Sequence, residues 1–160
     1  MAEIIYRRAT SVDLPAIIDL LADDILGAGR ESAGNGVSPQ YTSAFAQIEA
    51  DPNQLLVVAD DEGAVIGTLQ LSFIPGLSRG GSMRGQIEAV RVAKERRSEH
   101  IGEAMFTWAI ETCQERGCTL VQLTTDKARP DAHRFYDRLG FQPTHIGYKR
   151  KRCAGPTLRG

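Results

Sequence analysis

The sequence predicts a mixed α/β fold: a mostly antiparallel sheet with one parallel crossover, flanked by helices. Three observations lead there. β-Rich runs at residues 3–8, 55–59, 64–73 and 87–92 come first. A long amphipathic segment then starts at Ile101 and is followed by another β-rich run at 119–125, so strand, helix and strand make one right-handed crossover. Finally, 160 residues with 42% hydrophobic content suit a single core. One domain is expected over 3–150, with 151–160 as a short C-terminal tail.

Each element has a local reason. Residues 3–8 (EIIYRR) read as a first strand, closed by Ala9 and Thr10. Thr10-Ser11-Val12-Asp13 can form a reciprocal helix cap, and Leu14, Ile17, Ile18, Leu21, Ala22 and Ile25 make the stripe of the helix behind it. Pro15 is tolerated there because it falls near the first turn. Residues 27–36 (GAGRESAGNG) hold too little apolar surface to pack and are expected as a mobile loop. A second helix is expected over 39–50, carrying Tyr41, Phe45 and Ile48 and ending at Asp51-Pro52-Asn53. The runs 55–59 and 64–73 flank Asp60-Asp61-Glu62-Gly63, a hairpin signal, and Pro75 ends the second run. Residues 76–82 (GLSRGGS) form a glycine-rich loop carrying Arg79, before the strand at 87–92.

Lys94 to His100 lose any apolar period and read as a turn. The helix that follows has Ile101, Ala104, Met105, Trp108, Ala109, Thr112 and Cys113 on one face, with Glu103, Thr107, Glu111, Gln114 and Glu115 opposite. Arg116-Gly117 stops it, with Gly117 as a left-handed cap. A strand at 119–125, a helix at 130–139, closing strand or strands over 141–150 and a frayed tail complete the chain.

Composition excludes several classes of function. Nineteen basic and twenty acidic side chains leave a formal charge of −1, and the basic run from Lys149 to Arg152 is short, so no nucleic-acid partner is expected. No apolar run approaches the ~18 residues of a membrane span, and no signal-like segment opens the sequence. Cys113, Cys118 and Cys153 form no CxxC pair and are odd in number, which points to reduced thiols and a cytoplasmic location. Cys113 lies on the apolar helix face and is expected as a core residue. His100, His133 and His145 lack metal-ligand spacing with cysteine or carboxylate, so no metal is expected.

Chemistry concentrates between Gln86 and Phe106. The helix opening at Ile101 presents free N–H groups and the positive end of its dipole beside Arg96 and Arg97, an arrangement suited to phosphate or pyrophosphate. Neither a GxxxxGK(S/T) nor a GxGxxG loop is present. Arg97-Ser98-Glu99-His100-Ile101-Gly102, followed by Glu103-Ala104, instead resembles the (Gln/Arg)-x-x-Gly-x-(Gly/Ala) loop of the GNAT superfamily of N-acetyltransferases, which holds the pyrophosphate of acetyl-CoA. His100 stands at the family's first glycine, where positive φ costs a side chain on the order of 1–2 kcal/mol. Further on, the chain resembles the family's Asn-x-x-Ala-x-x-Phe-Tyr-x-x-x-Gly-Phe motif, with Ala132, Phe135, Tyr136, Gly140 and Phe141 in register and Arg129 at the asparagine position.

The resemblance implies the GNAT acyl-CoA N-acyltransferase fold. It also implies direct transfer, in a ternary complex, of an acetyl group from acetyl-CoA as co-substrate to the primary amine of a small-molecule acceptor. Strand backbone at Val90 and Val92 would bond the pantetheine and the thioester oxygen. Arg97, Ser98, Glu99, His100, Ile101, Gly102, Glu103 and Ala104, with Arg129, would hold the rest of the cofactor. Glu88 matches the strand carboxylate that serves polyamine acetyltransferases as base, and two-residue alternation puts it on the face of Val90 and Val92. Tyr136 matches the tyrosine that protonates the departing thiolate. Arg79, Arg84 and Arg129 are candidates for an acidic group on the acceptor or for the adenosine phosphate, against a default of solvated surface. A protein or peptide N-acetyltransferase and a non-catalytic CoA-binding sensor stand as alternatives. A homodimer is expected on frequency alone.

Overall fold

The computed structural model describes residues 3–23 and 36–152. Apart from Gly36, the glycine-rich stretch at 27–36 lies outside the described residues, as do Ile25, the last position of the expected first-helix stripe, and Cys153. Contacts divide the chain after Leu123 into two compact units.

The first unit is a five-stranded sheet of β1 (Ile5–Arg8), β2 (Gln54–Asp61), β3 (Ala64–Pro75), β4 (Met83–Val92) and β5 (Cys118–Leu123). The strands lie in that spatial order, antiparallel except for the parallel pair β4 and β5. The β2–β3 hairpin turns at Glu62 and Gly63, whose φ of 51° and 91° match the twist of a tight two-residue connection. β4 begins at Met83 rather than at Ile87 because its start is laddered on both sides, to Pro75 of β3 and to Cys118 of β5. Pairing extends the strand where local propensity gave no sign of it.

The helices α1 (Leu14–Ala22), α2 (Pro39–Ala50) and α4 (Ile101–Glu115) fall where apolar spacing predicts them. Between β3 and β4 the expected loop contains a four-residue turn, labelled α3 (Ser78–Gly81), in which Arg79, Gly80 and Gly81 have left-handed φ of 56°, 71° and 77°. On one sheet face, Val57, Leu69, Leu71, Phe73 and Ile87 are buried together with Met105, Ala109 and Cys113 of α4. Each Val, Leu, Ile, Phe or Met among them contributes about 1.5–3 kcal/mol by leaving water. Trp108 stacks on Tyr6 of β1 at 5.5 Å between ring centroids, as a packed helix-face residue should. Two positions depart from the expected stripe: Phe106 is buried and Ala104 is exposed, so the buried face is turned toward Phe106 relative to the one the spacing implied.

On the opposite face, Ala9, Leu14, Ile17, Phe45 and Val58 form a second cluster under α1 and α2. The Thr10 N–H donates to the Asp13 carboxylate at 2.7 Å, one half of the expected cap. Asp13 is only 7% exposed, and Arg7 compensates its burial with a bidentate pair at 2.8 and 2.9 Å while also donating to Asp60 at 2.8 Å. That pairing, with the Thr10 bonds, holds the Asp13 carboxyl down at about 2.

The second unit contains α5 (Pro130–Arg138). The expected closing strand over 141–150 is corrected here: residues 141–152 form no strand. Thr144, Ile146 and Tyr148 do alternate, but a strand also needs a ladder, and Ile146 and Tyr148 are 68% and 92% exposed. Among the described residues no helix is long and apolar enough to cross a membrane.

Candidate active site

The centre of the first unit's site is an irregularity in β4. Ala89 has φ 53° in the middle of a strand, a left-handed conformation that costs a side chain about 1–2 kcal/mol. The register shows its origin: Gln70 faces Glu88 and Thr68 faces Arg91, so Ala89 and Val90 together oppose the single residue Leu69. This is a β-bulge, a device that re-aims a strand. On the other side, β5 pairs with β4 only as far as Ile87↔Leu123. From Glu88 onward that edge of β4 has no ladder partner among the described residues; the Val90 and Val92 carbonyls accept from the side chains of Arg91 and Arg97, at 2.9 and 3.1 Å, rather than from a strand. Strain and an open polar edge coincide at one residue, as they do at functional sites.

The bulge corrects the expected orientation of Glu88. Gln70 and Thr68 share a face of β3, so their partners Glu88 and Arg91 share a face of β4. Val92 pairs with Gly67 and lies on the other face. An inserted residue reverses alternation, and nothing in the sequence marks its place. Glu88 itself is exposed.

After β4, the chain makes a short turn at Lys94–Arg96 and enters α4. His100 immediately precedes the helix with φ 58° and ψ 16°, the left-handed conformation that a glycine would adopt. Among the described residues no side chain caps this helix, which leaves the N–H groups of its first turn without a side-chain acceptor there. The His100 ring is 81% exposed, with Nδ1 3.3 Å from Oε2 of Glu103. Ile101 is buried and anchors the loop, whereas Ser98, Glu99 and Ala104 are exposed. The two arginines brace the loop. Arg96 pairs with Asp61 and Glu99, each at 2.7 Å. Arg97 donates to the Val92 carbonyl at 3.1 Å and to the Asp23 carbonyl at 2.9 Å. An uncapped helix start, with a side chain turned outward at the glycine position, leaves room for an anionic ligand.

On the second unit, Tyr136 is half-buried on α5, edge-on to Phe135 at 5.6 Å and to Phe141 at 6.2 Å. The Phe141 N–H donates to the Tyr136 carbonyl at 3.1 Å, and Gly140 supplies the required turn with φ 86°. Arg129 precedes α5, its carbonyl accepting from the His133 N–H at 3.2 Å, while the His133 ring lies 2.9 Å from the Asp126 carbonyl.

Both described cysteines lie in the core. Both are free and buried; burial first, then the neighbouring Cys118, pushes the Cys113 thiol up to about 12. Among the described residues no group of three or more His, Cys, Asp or Glu side chains gathers as a metal would require. Sequence reasoning missed Ala89 altogether. It also missed a row of amides on the Glu88 face: Gln122 donates to Gln86 at 2.8 Å, and Gln70 donates to Gln54 at 2.8 Å. Their signal was present, as amides spaced at even intervals inside β-rich runs.

Residues 19–141 match the model of the acetyltransferase (GNAT) family. Among curated relatives, the chain is 31% identical over 143 residues to aminoalkylphosphonate N-acetyltransferase of Salmonella typhimurium, covering 89% of this chain and 87% of that protein. Among solved structures, a transcriptional regulator from Bacillus halodurans C-125 superposes with a TM-score of 0.90 at 44% identity, covering 94% of this chain and 100% of that one. A putative acetyltransferase from Agrobacterium tumefaciens str. C58 does so with a TM-score of 0.82 at 27% identity, covering 93% and 100%.

Proposed function

The chain belongs to the acetyltransferase (GNAT) family and is an N-acetyltransferase with acetyl-CoA as co-substrate; from that premise we propose that it acetylates the primary amine of a small molecule by direct transfer in a ternary complex. The observation that carries this reading is the left-handed bulge at Ala89, which opens the β4 edge next to Glu88. The small size of the acceptor is supported by the relative named for aminoalkylphosphonate.

Bound acetyl-CoA supplies the acetyl group in activated form, as a thioester. The chain supplies the rest. N–H groups along the open edge, at Ala89 and Val90, can bond an acyl oxygen, and preorganised donors of this kind are worth several kcal/mol. Val92 extends the same edge, with its carbonyl held by Arg97. The first-turn N–H groups of α4, around Ile101, Gly102 and Glu103, receive the pyrophosphate, with Arg97, Ser98, Glu99, His100 and Ala104 shaping the loop and Arg129 a further candidate. Glu88 takes the ammonium proton, directly or through water, so that a neutral amine attacks. Tyr136 gives a proton to the departing thiolate.

Kinetics of two variants test these roles. Tyr136→Phe keeps the ring and removes the donor; kcat is expected to fall about 10²-fold or more, with the acetyl-CoA Kd unchanged. Turnover within about twofold of the wild type contradicts the acid role. Glu88→Gln is expected to lower kcat by about 10²–10⁴-fold and to recover partly as rising pH deprotonates the amine in solution. A flat pH response in that variant contradicts the base role.

A further inference from the structure

Beyond Glu88, its sheet face holds a charge that acetyl transfer alone does not use. Arg84, Gln86 and Glu88 alternate along β4 on the face shared with Gln70 and Ser72 of β3. Register pairs Gln86 with Gln122 and Arg84 with Leu120 on β5, so the same face continues across that strand. Gln86 is 9% exposed and fixed by Gln122, and Oε1 of Gln54 accepts from both the Gln70 amide at 2.8 Å and the Ser72 hydroxyl at 2.9 Å. The row is therefore ordered before any ligand arrives. Arg84 is half-buried, and among the described residues no hydrogen bond or ion pair occupies its guanidinium. Glu88 does not neutralise it, because four residues of extended strand separate the two by about 13 Å. A half-buried cation beside fixed amides, with a carboxylate further along the same row, is complementary to a molecule charged at both ends.

We propose that the acceptor carries an oxyanion as well as an amine, and that Arg84 binds the oxyanion while the amine lies at Glu88. This rests on acetyl transfer to a small amine and names its class: a short amine bearing a phosphonate, phosphate or carboxylate group. The guanidinium fork matches two oxygens of any of these, and the amide of Gln86 lies between the two ends. Arg84 acts on affinity and selection and takes no part in proton transfer.

The test is calorimetric titration of the CoA-saturated protein with three probes of one chain length: an aminoalkylphosphonate, an amino carboxylate and a plain alkylamine. Thiol release with acetyl-CoA is followed in parallel. The wild type is expected to bind one of the oxyanion probes at least about tenfold more tightly than the alkylamine, the size of one charged hydrogen-bonding contact. The tighter of the two identifies the oxyanion. Arg84→Gln is expected to erase the preference, mainly as a rise in KM, while Arg84→Lys keeps part of it, which a folding defect would not. Equal binding of all three probes by the wild type, or an undiminished preference in Arg84→Gln, overturns the inference. Arg84-dependent binding without thiol release from any amine keeps the oxyanion site and overturns amine acetylation instead.

Discussion

Ala89 and His100 are non-glycine residues held in left-handed backbone at the two ends of the proposed cofactor track. His100→Gly is expected to stabilise the protein by about 0.5–1 kcal/mol in urea melts, since it removes a side chain from a strained φ. The same variant is expected to keep or improve acetyl-CoA affinity. A tenfold weaker Kd would mean that the imidazole itself holds the cofactor. Arg7 and Asp13 give a prediction in pH. The Asp13 carboxyl titrates at about 2 when folded against an ordinary 3.8, so the folded state binds fewer protons. Its contribution, about 2 kcal/mol, is present above pH ~4 and is lost as pH falls toward ~2. Arg7→Gln is expected to cost about 2–4 kcal/mol at pH 7, with the gap from wild type narrowing below pH 4 in melts at both ends. At this scale, His100 was legible in the sequence because the motif sets a glycine at its position. Ala89 was not legible, because an alanine in a β-rich run gives no sign of positive φ.

Among elements, α4 meets the sheet closely enough that glycines are required beneath it. A Cβ on Gly85 would lie 2.5 Å from Cys113 Sγ and 3.1 Å from its Cβ. Gly85→Ala is therefore expected to destabilise by about 1–3 kcal/mol, and Cys113→Ala in the same chain to restore part of that. Additive losses in the double variant, measured by urea melts, would show that the two sites do not press on each other. The helix periods at 14–22, 39–50 and 101–115 were legible because amphipathic spacing is a local property. Strand ends and the segment 141–150 were not, since a ladder depends on distant partners. Phe106 shows a similar limit: spacing located the stripe of α4 but not the direction of its buried edge, which runs through Phe106 and leaves Ala104 exposed.

Over the first unit, the two faces of one sheet do different work. The α4 face is apolar across four strands and supplies stability. The opposite face is apolar under α1 and α2 around Val58, then turns to amides, Arg84 and Glu88 on β4 and β5. The strand, helix and strand order of the crossover was legible from sequence and locates the loop before α4. The bulge that puts Val92 on the face opposite Glu88 was not, nor was the point where β4 and β5 part. The central claim, an acetyl-CoA-dependent amine acetyltransferase, is tested most directly by titrating the purified protein with acetyl-CoA and assaying thiol release over a panel of amines in the same preparation. Micromolar binding, with thiol released by small amines and most strongly by those that carry an oxyanion, is the predicted result. No binding up to millimolar acetyl-CoA, or binding with no thiol released by any amine, would contradict it.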